Sequence, residues 1–299
     1  MPTETVYGLA ANALDARACA KIFHAKGRPA DDPLIIHVSS FGDVAGIAIP
    51  NDAARRLAQK FWPGPLTMVL PKAACVPLIV TAGRASVAVR SPSHPLLRRL
   101  LRLAGVPLAA PSANPFGYVS PTTAAHVRAG LGKKIRLILD GGPAKIGIES
   151  TIVDLRDPSR PRLLRPGAIT QTQLERVLGV QVGVARRAAP GAQLAPGLLS
   201  RHYSPRTPLE LHARLDARVV KQSAASEAWL FFARPAGITA KNILWLDARG
   251  DGRNAARRLF AMLRALDDGR FSRIHVELAS TGPLAEAIND RLQRAAARG

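Results

Sequence analysis

The chain has 299 residues, 47% of them hydrophobic and 21% charged, and 42 Lys+Arg against 21 Asp+Glu leave a formal net charge of +21. That length can bury a large core in one big domain or two smaller ones, and the composition is globular, not disordered. It excludes a disulfide framework or a Cys-based structural zinc site, because Cys19 and Cys75 lie far apart with no CxxC, and no apolar run approaches the roughly 20 residues that cross a bilayer.

The start, MPTETVYGLA, has neither the basic head nor the apolar stretch of a signal peptide. The cytoplasm is therefore the expected compartment. The charge is unevenly spread. From Ala53 to Leu139 there is no Asp or Glu, while Lys and Arg number 13. An Arg- and Ala-rich composition explains many arginines, but less easily the missing acids. Such a region makes a positive field for phosphates, of a nucleotide or of a nucleic acid. Aromatic content of 5% argues against a single-strand binder that works by base stacking.

In chain order, short strands alternate with helices, which predicts an α/β fold. Asp15 caps a helix to Ala25 with Gly27 at its C′ position. A cationic loop, Lys26–Gly27–Arg28, then leads into a strand over Leu34–Val38. Asn51 caps a second helix that "WPGP" stops. Leu66–Leu70 and Ser86–Arg90 read as strands. In the second, Val87 and Val89 face one way and Ser86, Ala88 and Arg90 the other, with Arg90 on a polar face at the sheet edge. A helix over His94–Ala104 and a strand over Pro107–Ala110 follow. Ser120 or Thr122 is expected to cap the next helix. Ile135–Leu139, Thr151–Leu155 and the Leu163–Leu164 region read as further extended segments.

From 181 to 208 the pattern breaks. Four prolines, four arginines and no acid read as a linker, and the embedded "RHYSP" favours a functional lid over a plain tether. After it "AWLFFA", "NILWLD" and "RIHVELA" predict a small parallel sheet, with two amphipathic helices between and after them. The expected division is a first domain over 1–180, a linker or lid over 181–208, and a C-terminal α/β domain over 209–299.

No P-loop, GxSxG or HExxH motif is present, and no metal-ligand set is read from the sequence. What remains are polar clusters at predicted strand ends: Thr3–Glu4–Thr5 with Tyr7, Lys26–Gly27–Arg28, His37, Ser86 with Arg90, Ser112 with Asn114, Ser120 with Thr122 and Thr123, Glu149–Ser150–Thr151, and Arg165. Ligands of open α/β sheets bind where strands end, and cations and hydroxyls there suit phosphates. Taken singly, each has a plainer reading. His37 would be a hydrogen-bonded core histidine, Arg90 a surface charge, and Ser112 and Asn114 turn formers. Ser120 and Thr122 would be helix caps, and Trp62 with its prolines packing and turn residues. Glu4 is open between a Mg²⁺ ligand and a solvated acid. Composition alone supports only the binding of an anion.

Taken together, "PTETVYGL", "KGRP", "DPLIIHV", "FWPGPLT", "PLAAPSAN", "SPTTAAHV", "DGG" and "ESTIVDL" with "LRPG" come in an order that resembles the Sua5/YrdC family of L-threonylcarbamoyladenylate synthases. The resemblance is close over 1 to about 180, and "HYSP" with the small C-terminal unit is similar to the longer, two-domain Sua5 form. It implies a YrdC-like open twisted sheet with flanking helices, then a linker and a Rossmann-like Sua5 domain. It implies a nucleotidyltransferase that makes threonylcarbamoyl-AMP and pyrophosphate from L-threonine, bicarbonate and ATP with Mg²⁺. The product serves the t6A modification of tRNA through a partner transferase complex.

The same resemblance implies the site residues. Lys26 and Arg28 would be catalytic. Lys26, Ala30, Ser86, Ser112, Asn114, Arg165 and Tyr203 would hold ATP, with Tyr203 in the lid. Thr3, His37, Arg90, Ala110 and Ser150 would hold threonine, Arg90 by its bidentate fork. Family members carry a helix and a strand before "PTETVYGL", and a chain lacking them is expected to expose a sheet edge and to loosen the site around Thr3. Two rival readings are a double-stranded RNA or tRNA-binding module without synthase activity, and a related transferase with another acceptor.

Overall fold

The computed structural model describes residues 1–185, 194–197, 202–216, 220, 225–238, 240–282 and 284–297. Parts of the expected linker, 186–193 and 198–201, lie outside them. Helix α1 (Ala16–Lys26) starts on Asp15, whose carboxylate accepts from the Arg17 and Ala18 amides, and it ends at Gly27 with φ 64°. Both ends are locally encoded: a short acceptor satisfies amides that have no partner in the first turn, and glycine turns left-handed without steric cost. Asn51 does the same for α2 (Asp52–Phe61), accepting from Ala54 N. The short α3 (Leu78–Thr81), α4 (Pro95–Ala104), α5 (Ala124–Leu131) and α6 (Gln171–Leu178) complete the helices of the first unit.

These helices flank an eight-stranded mixed sheet. Its strands are β1 (Ala11–Asn12), β2 (Ile35–His37), β3 (Leu66–Pro71), β4 (Ser86–Arg90), β5 (Leu108–Ala109), β6 (Thr151–Asp154), β7 (Arg162–Arg165) and β8 (Gly183–Val184). They lie in the order β1-β5-β2-β4-β3-β6-β7-β8. Val87 and Val89 enter the main core with Leu34, Ile36, Leu57 and Met68. Ala88, on the opposite face, packs with Ile35, Val69, Ile152, Leu164 and Ala195. So β4 is buried on both faces between β2 and β3, and Arg90 stands inside the sheet, not at its edge.

Two other expectations are corrected. Ile135–Leu139 forms no strand. It is a short apolar run, but Leu137 is 74% exposed while Ile135 and Ile138, three positions apart, pack on one core cluster, which is not the period of a strand. The cap of α5 is Thr123, which accepts from His126 N. Ser120 instead donates to Glu149 Oε1 at 2.5 Å, and Thr122 faces the His126 ring at 3.3 Å.

The second unit is a four-stranded sheet, parallel throughout, in the order β11-β10-β12-β9. It comprises β9 (Leu209–His212), β10 (Glu227–Ala233), β11 (Ile243–Asp247) and β12 (Arg273–Glu277). Helices α7 (Gly252–Asp268) and α8 (Ala285–Ala296) cover one face through Leu259, Phe260, Leu263, Ile288 and Leu292. Val6, Val119, Ile148 and Tyr203 enter this same core, which joins the two units by apolar burial. Polar ties reinforce the join: Tyr118 Oη donates to Asp267 Oδ2 at 2.7 Å, and Arg264 donates to the Val119 and Ser120 carbonyls. The backbones nearly touch at Gly147. Its φ is +85°, and a Cβ there would stand 2.4 Å from Arg257 Cα, so only glycine fits.

Candidate active site

The parallel strands β2 and β4 end side by side, with His37 in register with Arg90. A cleft opens there, as expected at the carboxyl ends of strands in an open sheet. Its floor is the N-terminal turn. Thr3 Oγ1 accepts from the Thr5 and Val6 amides at 3.0 and 3.1 Å and donates to Val6 O at 2.6 Å. This turn holds Thr3, which is 3% exposed, and aims Thr5 at Arg90.

Arg90 is buried and its fork is largely engaged. It donates to Thr5 Oγ1 at 2.9 Å and Gly64 O at 3.2 Å, and pairs with Glu4 at 2.7 Å. Glu4 is thus not a solvated acid. Burial raises its pKa, but the Arg90 charge and hydrogen bond outweigh that and hold the carboxyl below the ordinary glutamate range. His37 is pushed down to about 3, first by burial and then by the Arg90 charge. It is neutral at physiological pH, and its Nδ1 has no hydrogen-bond partner among the described residues.

That depressed value predicts acid sensitivity. The unfolded histidine takes a proton near 6.5 while the folded one resists until about 3. Stability therefore falls as pH drops through that window, by about 2 kcal/mol at pH 5 from this residue. His37→Gln is expected to lose less stability between pH 7 and pH 5 than the parent in urea unfolding. Equal losses would refute the assignment.

The opposite wall carries the other cations. Lys26 Nζ donates to the carbonyls of Ser112, at 2.6 Å, and Asn114. Burial pushes its pKa well below the ordinary lysine range, with the Arg28 charge adding to the shift and Asp32 opposing it. Arg28 pairs with buried Asp32 at 2.8 Å and donates to Asp32 O and Pro33 O. Arg165 links the wall to Pro196, donating to Ser150 O at 3.1 Å, Ser150 Oγ at 3.2 Å and Pro196 O at 3.0 Å. Ser150 Oγ also meets Thr67 Oγ1 at 2.8 Å.

Residues 194–197 and 202–203 close one side. Gly197 has φ +75°, and a Cβ would lie 2.5 Å from Tyr203 Oη and 2.8 Å from Arg165 Nη1. Tyr203 is fully buried and stacks on Phe260 of α7 with ring centroids 5.4 Å apart. Burial raises its hydroxyl to about 12, so it stays protonated. Its Oη and His202 Nδ1 find no partner among the described residues.

Of the residues implied by the sequence, Thr3, Arg28, His37, Arg90, Ala110, Ser112, Ser150, Arg165 and Tyr203 line this cleft. Lys26 stands directly behind Ser112. Ala30 sits exposed in the loop that follows. Asn114 lies beyond Lys26 and turns its amide to Pro115 O and Tyr118 O. Ser86 begins the strand that Arg90 ends, on the same sheet face, and the cleft does not extend to it.

The sequence reading assigns no role to Thr5, Glu149, His202 or Arg291. Glu149 lines the cleft and pairs at 3.0 Å with Arg291 of α8. The motif "ESTIVDL" contains Glu149, but nothing local in the sequence points to a partner 142 positions away.

Comparison with known proteins identifies the family. Residues 1–167 match a family model described as "Telomere recombination", for Sua5, YciO and YrdC proteins. Residues 169–297 match one described as the threonylcarbamoyl-AMP synthase C-terminal domain. The threonylcarbamoyl-AMP synthase of Pyrococcus abyssi is 50% identical over 209 residues, 68% of this chain and 61% of that protein. That of Bacillus subtilis is 38% identical over 99% of this chain and 88% of its own length. A crystal structure of P. abyssi Sua5 with L-threonine superposes with a TM-score of 0.91 at 38% identity, covering 99% of this chain and 89% of that one. With both halves matched and the fold shared end to end, the chain belongs to the Sua5 family of threonylcarbamoyl-AMP synthases.

Proposed function

We infer that the cleft makes threonylcarbamoyl-AMP, with L-threonine at the His37–Arg90–Ser150 end and the ATP phosphates beside Lys26 and Arg28. The observation that carries this division is the contrast between its two ends. One offers a neutral histidine with an orphaned nitrogen and hydroxyls, beside Arg90 and Arg165 that are already engaged by protein partners, which suits a small zwitterion. The other gathers buried cations, which suits a polyanion.

The chemistry joins anions. The threonine amine adds to bicarbonate and water leaves, forming a carbamate. A carbamate oxygen then attacks the α-phosphorus, the bond to the bridging oxygen breaks, and pyrophosphate departs. The residues bind, orient and exclude water, and none need become covalently attached. The Arg90 N–H groups not given to Thr5, Gly64 and Glu4 serve the threonine carboxylate. Neutral His37 accepts from the threonine amine or hydroxyl, which an imidazolium beside Arg90 could not do. Ser150 Oγ, oriented by Arg165 and Thr67, completes that end. Lys26 and Arg28 offset charge on the phosphates, and Tyr203 covers the nucleotide. Ser86 and Ala88 continue the same sheet face away from Arg90, a path for the adenosine, with Asn114 and Ala30 at its margin.

Magnesium enters as part of the nucleotide. The carboxylates at the cleft are each paired with an arginine: Glu4 with Arg90, Asp32 with Arg28, Glu149 with Arg291. That favours an ion held by triphosphate and water over a resident protein cage. The compartment we assign is the cytoplasm. No helix among the described residues is long and apolar enough to cross a membrane. The adenylate would pass to a transferase acting on tRNA.

The test is pyrophosphate release from ATP, with L-threonine and bicarbonate added singly and together. Release that requires both is expected. Release that ignores threonine would sink the reading. RNA affinity that falls steeply with salt, in a folded chain without release, would favour the binding module.

A further inference from the structure

The second sheet carries a polar cluster remote from the cleft and unused by the chemistry above. Glu210 and His212 lie two residues apart on β9, so they share a face. His275 on β12 is the register partner of Glu210. The ring nitrogens His212 Nε2 and His275 Nδ1 face each other at 2.9 Å. Glu210 Oε1 is 3.7 Å from the first, and Glu210 Oε2 is 4.0 Å from the second.

The surroundings of His275 resemble those of a metal ligand. Its other nitrogen, Nε2, faces Glu227 Oε2 at 3.4 Å. Nε2 makes no hydrogen bond among the described residues, so a small approach of Glu227 to it would give the carboxylate–histidine–metal arrangement that leaves Nδ1 with a lone pair. Trp229 stacks on the ring, with centroids 3.9 Å apart and planes 10° from parallel. That holds its orientation from the other side. His212 is partly exposed, so the cluster is both anchored and reachable.

From this geometry we propose that Glu210, His212 and His275 form a binding site for a divalent transition ion of the zinc type. Two imidazole nitrogens each about 2.0–2.1 Å from such an ion stand roughly 3–3.5 Å apart at ordinary angles, so a small rotation of His212 converts the present contact into a bite. One carboxylate oxygen is a suitable third ligand, and solvent supplies the rest. Arg273 competes for part of the carboxylate. It holds Glu210 Oε2 at 2.6 Å and leaves Oε1 for the ion. Mixed nitrogen and oxygen ligation disfavours magnesium and calcium, which take oxygen ligands. The site is invisible to motif reading because its ligands sit 63 positions apart on two strands. An ion there would tie β9 to β12, and β9 begins six residues after Tyr203.

The experiment uses the full chain, without a histidine tag and stripped with chelator, titrated with ZnCl₂ by calorimetry and with Co²⁺ by visible absorption. One saturable equivalent is expected, with Co²⁺ bands typical of nitrogen and oxygen ligands. Affinity is expected to fall at least tenfold in His212→Ala and in Glu210→Gln. Both side chains are partly exposed and outside the cleft, so threonine-dependent pyrophosphate release should persist and report an intact fold. His275→Ala should abolish the site. No saturable binding, or one equivalent that His212→Ala leaves unchanged, would overturn the proposal in favour of a plain hydrogen bond between two neutral rings.

Discussion

Arg291→Met is expected to destabilise the chain by about 3–5 kcal/mol, the usual cost of removing one partner from a buried ion pair. Arg291 is fully buried. It pairs with Glu149 at 3.0 Å and Asp290 at 2.8 Å, donates to Pro166 O at 3.0 Å, and places its guanidinium 5.6 Å from the Tyr203 ring centroid. Burial lowers its pKa, but Tyr203, Asp290 and Glu149 outweigh that and leave it above the ordinary arginine value. The variant strands Glu149 in the cleft wall next to Ser150. Denaturant unfolding should show the loss. Steady-state kinetics on the folded fraction should show a raised KM for threonine, because an uncompensated Glu149 carboxylate in the cleft wall repels the threonine carboxylate. Adding Glu149→Gln should recover part of the stability by removing the stranded charge. A loss under about 1 kcal/mol with an unchanged KM would refute this role for α8.

Lys26→Met is expected to lower threonine- and bicarbonate-dependent pyrophosphate release by about 10²–10³-fold, the scale set by removing one preorganised electrostatic contact. The ammonium is already fixed by two carbonyls, so the charge needs little reorganisation when phosphate arrives. Losing it also strands the Ser112 and Asn114 carbonyls, at about 1–3 kcal/mol, so rates should be compared at a temperature where both chains are folded. The binding of threonine alone should be nearly unchanged, since Lys26 does not line the cleft at that end. A variant that keeps full activity would remove the loop from the reaction. One that loses threonine affinity as well would mean that the two ends of the cleft are not separate.

Several elements were legible because their causes are local. The caps at Asp15, Gly27 and Asn51, the stop at "WPGP" and the alternation of β4 each depend on neighbours within a few positions. The capping box of α6, Thr170 with Gln173, carries the same kind of signal, though the reading of the first domain placed no helix there. Local pattern also misled. "IRLIL" is a short apolar run of the kind strands show, yet strand formation needs a paired neighbour, and residues 135–139 have none in the sheet order. Thr122 and Thr123 are equally good caps by composition. Only the turn geometry selects Thr123.

The amino-acid sequence by itself determined the α/β class, the two sheets, the caps at Asp15, Gly27 and Asn51 and the family, because the caps act on near neighbours and the polar clusters recur in a fixed order whatever their distances. The tertiary structure alone decided how the charges pair. Glu4 meets Arg90, Glu149 meets Arg291, and His212 meets His275 across strands and domains. Each contact depends on strand order, register and burial, which bring together residues that no spacing in the chain relates. Burial also leaves His37 neutral at one end of the cleft, while Lys26 and Arg28 at the other end keep close polar partners in Ser112 O, Asn114 O and Asp32.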